Sequence, residues 1–333
     1  MKSAIGWGGV AVWLVATAQG APLNRAYIAD DARMVLHLDV DQLKKTQAGA
    51  WFLDELRKPE AENKFAAFKL IFNFDPREDL RSVSAYGRER DQGVALLEGN
   101  FDIERAVAMA KAAEAYETTT YDGETVHSWV SERRRPQPAG SQAWGPAAEA
   151  GAGGEAEPAG KVRHYAIILP QGLMIAGDRL SWVQEALDVV RGRRAALAPA
   201  SRLSALIPSG SVPFFVAAAD LAGLPPRQNR SQTFDGLSTA TLTLGEQRGG
   251  FSLEALLEAK DEATAGQILG VAQGLISLGL LRGQNDPRSA ALLRSVNTQV
   301  SGRAVRISLS LPAAELIEML QRCKAPLALP ADI

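Results

Sequence analysis

The spacing of apolar residues along the chain predicts groups of strands and helices. Residues 34–40 alternate apolar and polar side chains between acidic boundaries, which is the pattern of a strand. The strand-like runs 117–121 and 125–130 flank Asp122-Gly123, a dipeptide typical of a two-residue hairpin turn. Residues 178–191 repeat apolar side chains at helical spacing and predict a helix with one apolar face.

The two halves of the chain present similar series of elements. Each half opens with a strand that leads into an acidic residue, Asp41 in the first half and Asp220 in the second, and strands, a long helix, further strands and a closing helix follow. Strands grouped around hairpins favour antiparallel sheets with helices on one face. We therefore expect an α+β fold of two related units, residues 30–195 and 210–325, whose low mutual identity does not establish a duplication.

If the two units correspond, their opening strands at 34–40 and 212–219 are central and buried. The helices that close the units then pack beside these strands through Leu187 and Leu320. Residues 269–281 are the most apolar run after the N-terminal one. Because this run is short for a membrane span and is interrupted by glycine and glutamine, it predicts a buried helix.

A segment of different composition interrupts the first unit. Residues 132–160 consist largely of Gly, Ala, Pro and Glu, with Trp144 as the one bulky apolar residue. Such a composition buries too little apolar surface to offset the entropy of ordering the chain. We expect a flexible insertion here, and its glycine run lacks the Gly-Lys-Ser/Thr sequence of a phosphate loop.

The N-terminus has the parts of a secretory signal peptide. Lys2 precedes the apolar stretch 4–18, which ends in the small-x-small triplet Ala16-Thr17-Ala18. Removal of residues 1–18 would leave no integral membrane span. The alternative is an uncleaved anchor helix, which needs about 20 apolar residues, more than this stretch provides. We expect export to the periplasm or the extracellular space.

Composition and charge exclude several classes of protein. With 46% hydrophobic and 22% charged residues, the chain matches globular proteins and neither disordered nor multi-spanning membrane proteins. Its 36 basic and 38 acidic residues nearly cancel, so no net field attracts nucleic acid. The single cysteine, Cys323, cannot form an intramolecular disulfide, and its place on an apolar helical stripe predicts a packed residue.

Few residues are placed for catalysis or metal binding. His37 and Asp39 alternate on one strand and share a face, and Asp41 follows at the strand end. No further ligand pair accompanies them, although zinc needs three or four ligands. Capping of the next helix by Asp41 explains this pair of carboxylates more simply. Known catalytic motifs and cofactor fingerprints are absent from the sequence, so we assign no catalytic, metal or cofactor-binding residues.

Three segments of the sequence are distinctive together. They are Arg-Met-Val-Leu-His-Leu-Asp-Val-Asp-Gln-Leu at 33–43, Phe-Asp-Pro-Arg-Glu-Asp-Leu at 74–80 with the strand 82–87, and Tyr-Asp-Gly-Glu-Thr-Val-His-Ser-Trp at 121–129. With the export signal, they resemble a family of uncharacterised exported bacterial proteins classed as a domain of unknown function. The resemblance implies a location in the cell envelope and supplies no catalytic residues.

These observations favour an exported, non-enzymatic envelope protein that binds a protein partner or an envelope ligand and needs no cofactor. The alternative is a hydrolase of unfamiliar type that uses Asp39 or Asp41 with His37. Turnover that is lost in Asp41→Ala, with the fold intact, would support the hydrolase.

We predict that the mature protein begins at Gln19. N-terminal sequencing of the protein recovered outside the cytoplasm measures this directly. An intact Met1 on protein from a membrane fraction would support the uncleaved anchor instead.

Overall fold

The computed structural model describes residues 20–89, 92–132, 160–208, 213–222, 236–282 and 287–322. Strands in these residues form one 12-stranded antiparallel sheet in the order β11-β12-β10-β9-β8-β1-β2-β3-β7-β6-β5-β4. The strands are β1 (Met34–Asp39), β2 (Leu80–Glu89), β3 (Gln92–Gly99), β4 (Glu117–Tyr121), β5 (Glu124–Glu132), β6 (Lys161–Leu169), β7 (Leu173–Gly177), β8 (Phe215–Asp220), β9 (Leu237–Gln247), β10 (Gly250–Ala259), β11 (Asn297–Ser301) and β12 (Ala304–Pro312).

Helices connect and cover the strands. They are α1 (Val40–Lys44), α2 (Gln47–Glu55), α3 (Pro59–Phe72), α4 (Ile103–Lys111), α5 (Leu180–Val190), α6 (Arg202–Leu206), α7 (Glu262–Arg282), α8 (Pro287–Ser295) and α9 (Ala313–Arg322). The α+β class and the antiparallel pairing that the hairpin pattern predicted are confirmed. The hairpin at Asp122-Gly123 joins β4 to β5 as expected.

The two halves of the chain meet at the centre of the sheet. β1 pairs with β8, with Val35 opposite Ala218 and His37 opposite Val216. From this junction the order is β1-β2-β3-β7-β6-β5-β4 on one side and β8-β9-β10-β12-β11 on the other. Both sides therefore begin with three strands that follow one another in the chain, while the first half carries an additional hairpin. Descent of the halves from a duplication stays a prediction.

The largest core lies between α5 and one face of the sheet. Val183 and Leu187 of α5 are fully buried and belong to a cluster with Leu96, Ile167 and Ile175. Because successive strand residues point to opposite faces, the neighbours of these strand residues face away from α5. That second face lies beneath α3 and α4. In the first half, helices thus lie on both faces of the sheet, whereas the hairpin pattern predicted them on one.

The prediction of a buried Leu320 is wrong, because this side chain is 42% exposed in α9. The helix does pack against the sheet, and its contacts are made by Leu316 and Met319 with a core that contains Phe214 and Phe251. Leu320 therefore lies outside the contact face of an otherwise packed helix.

The prediction of a buried helix at 269–281 is also wrong. The N-terminal part of α7 contributes Ala265 and Ile268 to a small core. Farther along, Leu275 and Leu281 are 64% and 63% exposed. By length and composition α7 is the one helix in the described residues that passes as a candidate membrane span.

Three predictions fall on residues that the structure leaves out. The signal peptide at 1–18, the body of the insertion at 132–160 and the environment of Cys323 lie outside the described residues.

We expect Leu187→Ala to lower the free energy of unfolding by about 2–5 kcal/mol, because truncation of a fully buried leucine leaves a cavity. Leu320→Ala is the matched control, and we expect it to cost less than about 1 kcal/mol because the side chain is exposed. Urea denaturation of both variants measures the difference. Equal losses would contradict the packing described for α5 and α9.

Candidate functional site

The carboxylate and histidine group at the end of β1 is a closed, structural site. His37 is buried, with Nε2 3.0 Å from the Ala21 carbonyl and Nδ1 2.9 Å from the Ser84 hydroxyl. Since a carbonyl oxygen only accepts, Nε2 donates to Ala21 and the Ser84 hydroxyl donates to Nδ1. Burial lowers the pKa of His37, with a smaller opposing effect of Asp39. Both ring nitrogens are therefore occupied by the protein itself.

Asp39, and not Asp41, caps α1. Its Oδ1 accepts a hydrogen bond from the Gln42 N–H at 2.7 Å. Asp41 lies in the first turn of α1, with its carboxylate 3.6 Å from Lys44 Nζ. The prediction of Asp41 as the cap is therefore wrong by two residues. Residues 34–40 alternate as a strand does, but α1 already begins at Val40, the last residue of that run.

The polypeptide covers this group from outside. Asp39 is 1% exposed, and its Oδ2 has no hydrogen-bond partner among the described residues. Gly20 lies so close to Oδ2 that any side chain at position 20 would collide with the carboxylate. With Ala21 bonded to His37, the described residues leave His37 and Asp39 closed to a substrate. The geometry gives the hydrolase alternative no support.

An apolar cavity lies between the sheet and helices α3 and α4. Its volume is about 420 Å³, which falls in the range of roughly 300–1,000 Å³ for small-molecule sites. Met109 lines the cavity and is 37% exposed, so the cavity reaches solvent at this point. Bulky apolar side chains from both helices and from the sheet form most of its wall, among them Phe68, Phe72, Leu97, Phe101, Ile168 and Met174.

Aromatic rings form one end of the cavity. The rings of Phe74 and Phe101 stack with their centroids 5.0 Å apart, and Phe68 lies edge-on to Phe74 at 6.4 Å. Phe68 also contacts Phe72 in the next turn of α3, at 4.4 Å. Such ring pairs add to the stability that their burial provides, so this end of the cavity is well packed.

The ends of α3 and α4 are fixed by hydrogen bonds, while their middles are not packed onto the sheet. Neither helix contains a fully buried residue. Arg105 of α4 donates to the carbonyls of Leu70 and Ile71 at the end of α3, at 2.6 and 2.8 Å. After α4, the Val130 N–H of β5 donates to the Glu114 carbonyl at 2.9 Å. The helices are thereby held over the sheet with space beneath them.

An ion-pair network anchors the turn that follows α3. Arg77 donates to Asp75 at 2.8 and 2.9 Å and to Glu62 of α3 at 2.5 Å, and its guanidinium lies 4.6 Å from the centre of the Phe65 ring. Hydrogen bonds from Arg77 lower the pKa of Asp75 and of Glu62, and the two carboxylates raise the pKa of Arg77. The network ties α3 to the turn beside the aromatic end of the cavity.

The polar groups of the cavity differ at its two ends. At the Phe101 end, Asp102 accepts from the Arg105 N–H at 3.0 Å and from Asn73 Nδ2 at 2.8 Å. At the other end, His127 is 8% exposed, and its Nδ1 lies 2.8 Å from the Tyr116 hydroxyl. The described residues offer His127 Nε2 no partner. Burial lowers the pKa of His127, and Lys111 lowers it further.

The sequence contains no local signal for this cavity as a site. Its lining comes from α3, α4, β3, β5, β6 and β7 and from connecting residues, so no short motif contains it. The nearest signal is the run of phenylalanines at positions 65, 68, 72 and 74. That run predicts apolar packing and gives no indication that space remains beside it.

Comparisons with known proteins give only distant likeness. No family model matches the chain, and no curated protein matches it. Among solved structures, crystal form III of TP0453 is 11% identical, with a TM-score of 0.45 over 92% of this chain and 99% of that chain. Crystal form I of TP0453 is 12% identical, with a TM-score of 0.42 over 91% and 98%. These findings agree with a weak resemblance to an uncharacterised family.

We expect the free energy of unfolding to fall as the pH is lowered from about 7.5 to about 5. His37 and His127 have lowered pKa values in the folded state, so the unfolded chain takes up protons first, from about pH 6.5 downward. The carboxylate of Asp75, whose pKa is also lowered, contributes only below about pH 4. Chemical denaturation at the two pH values measures the loss.

The control for this pH effect is the double variant His37→Gln and His127→Gln, which removes both titrating rings. It should lose less stability than the unmodified protein between the two pH values. The same loss in both proteins would show that other groups cause the effect.

Proposed function

We propose that the protein is a non-enzymatic binding protein of the cell envelope and that its cavity holds the apolar part of a small ligand. The observation that carries this proposal is the apolar cavity beneath α3 and α4. Export rests on the N-terminal sequence, with its apolar stretch 4–18 and the Ala16-Thr17-Ala18 triplet.

An unfilled cavity of this kind is costly to a folded protein. Side chains that border a void have no neighbours on one side and lose dispersion contacts there. Each square ångström of apolar surface removed from water contributes about 25 cal/mol. A ligand that fills the cavity supplies the missing contacts and buries its own apolar surface, so the shape of the cavity favours binding.

The shape and the lining favour a hydrocarbon chain as the bound part. The wall follows α4, whose nine residues Ile103–Lys111 span about 13 Å, and continues to Ala113. Among the described residues that line it, His127 and Asp102 are the titratable ones, and Asp102 already accepts hydrogen bonds from Arg105 and Asn73. A sugar or a nucleotide needs many polar partners and finds few here.

The composition of the wall also argues against catalysis at this place. Among the described residues, the lining contains no serine, cysteine or lysine that would act as a nucleophile beside His127. Of the alternative set, His37 with Asp39 or Asp41, residues 20 and 21 cover His37 and Asp39, while Asp41 lies beside Lys44 in the first turn of α1. Binding without turnover is therefore the function that the geometry supports best.

We expect Ala110→Trp to abolish binding of a neutral apolar probe, N-phenyl-1-naphthylamine, or to weaken it at least about tenfold. Ala110 lines the cavity, so an indole at this position fills the space that the probe needs. Fluorescence titration measures the affinity, and circular dichroism verifies the fold.

Ala108→Trp is the matched control, because Ala108 is exposed on the same helix and does not line the cavity. It should bind the probe as the unmodified protein does. Equal affinity in Ala110→Trp, or an equal loss in both variants, would contradict the proposed binding site.

A further inference from the structure

We propose that the ligand is an amphiphile with a carboxylate head, such as a long-chain fatty acid, and that His127 and Lys111 receive the head while the chain extends toward Phe101. This inference rests on the proposed function, since it assigns the ligand class of the same cavity.

His127 is a buried polar group without a complete set of partners. It is more than nine-tenths buried and lines the cavity, and Nδ1 is bonded to the Tyr116 hydroxyl. The direction of this hydrogen bond depends on the ring tautomer, and when the hydroxyl donates to Nδ1 the ring proton is on Nε2. Nε2 has no protein partner among the described residues and is left accessible, so a ligand oxygen in the cavity can form a hydrogen bond with it.

The charges at this end of the cavity favour an anionic head. Glu114 is paired with Lys161, and Glu117 with Arg163 at 3.2 Å, so both nearby carboxylates are neutralised. Lys111, which ends α4, makes no ion pair with a described residue and acts electrostatically on His127. An exposed cation and a ring nitrogen without a protein partner among the described residues are thus found at the same end.

The opposite end of the cavity is unsuited to a carboxylate. Asp102 carries its own negative charge there, and its oxygens already accept from Arg105 and Asn73. The guanidinium of Arg105 is bonded to the carbonyls that end α3. The stacked rings of Phe74 and Phe101 leave an apolar surface for the end of a chain. The two ends therefore fix the direction of the ligand.

The experiment compares three probes of one chain length: dodecanoate, dodecanol and dodecyltrimethylammonium. Their affinities for the full mature protein are measured at pH 7.5 by displacement of N-phenyl-1-naphthylamine. We expect dodecanoate to bind at least about tenfold more tightly than dodecanol, and the cationic probe to bind most weakly. Lys111→Gln should lower the affinity for dodecanoate at least about threefold and leave the affinity for dodecanol within about twofold. His127→Phe should also lower the affinity for dodecanoate at least about threefold.

The control variant is Lys64→Gln, which removes a lysine from α3 that does not line the cavity, and it should bind all three probes as the unmodified protein does. Lys111 is exposed, so Lys111→Gln tests the inference even if His127→Phe fails to fold. Equal affinities for the three heads, or a preference unchanged by Lys111→Gln, would overturn the carboxylate assignment and leave the binding function intact. Failure of every probe to bind would overturn both.

Discussion

The cavity depends on polar contacts that fix α3 and α4 at their ends while alanines of α4 line it between them. Arg105 joins the two helices, Arg77 ties α3 to the following turn, and the Glu114 carbonyl is bonded to β5. Between these points Ala106 and Ala110 of α4 line the cavity, and Ala113 follows after the helix. Methyl groups fill less space than the longer side chains elsewhere in the wall, which leaves room beside the strands.

The two faces of the first half of the sheet therefore have different properties. On one face, α5 buries Val183, Leu187 and Val189 against β3, β6 and β7, in the largest cluster of buried residues described. On the other face, neither α3 nor α4 contributes a fully buried side chain. Structural elements with few buried contacts are the ones that open locally while the rest of the protein stays folded. The loosely packed face of α3 and α4 can therefore admit a ligand, while the closely packed face of α5 keeps the fold intact.

Local sequence patterns predicted the parts of the fold that local interactions determine. The strand at β1, the turn at Asp122-Gly123 and the apolar face of α5 follow from side-chain alternation, turn chemistry and helical spacing. The exposure of Leu320 and of the later part of α7 was not predictable. Apolar residues at helical spacing indicate a helix, but they do not show which of its side chains pack against the rest of the protein. The cap at Asp39 was not predicted because β1 and α1 follow each other without a loop. The cavity was not predicted because the residues that line it are far apart in the sequence and come together only in the folded chain.

A crystal structure of the mature protein grown with dodecanoate tests the central claim most directly. We expect density for the chain between α4 and the sheet, with a carboxylate oxygen within about 3.2 Å of His127 Nε2 and the methyl end near Phe101. Density with the carboxylate at the Asp102 end would contradict the assigned direction. A cavity filled by its own side chains, with α3 and α4 packed onto the strands and the fatty acid absent, would contradict the binding function itself.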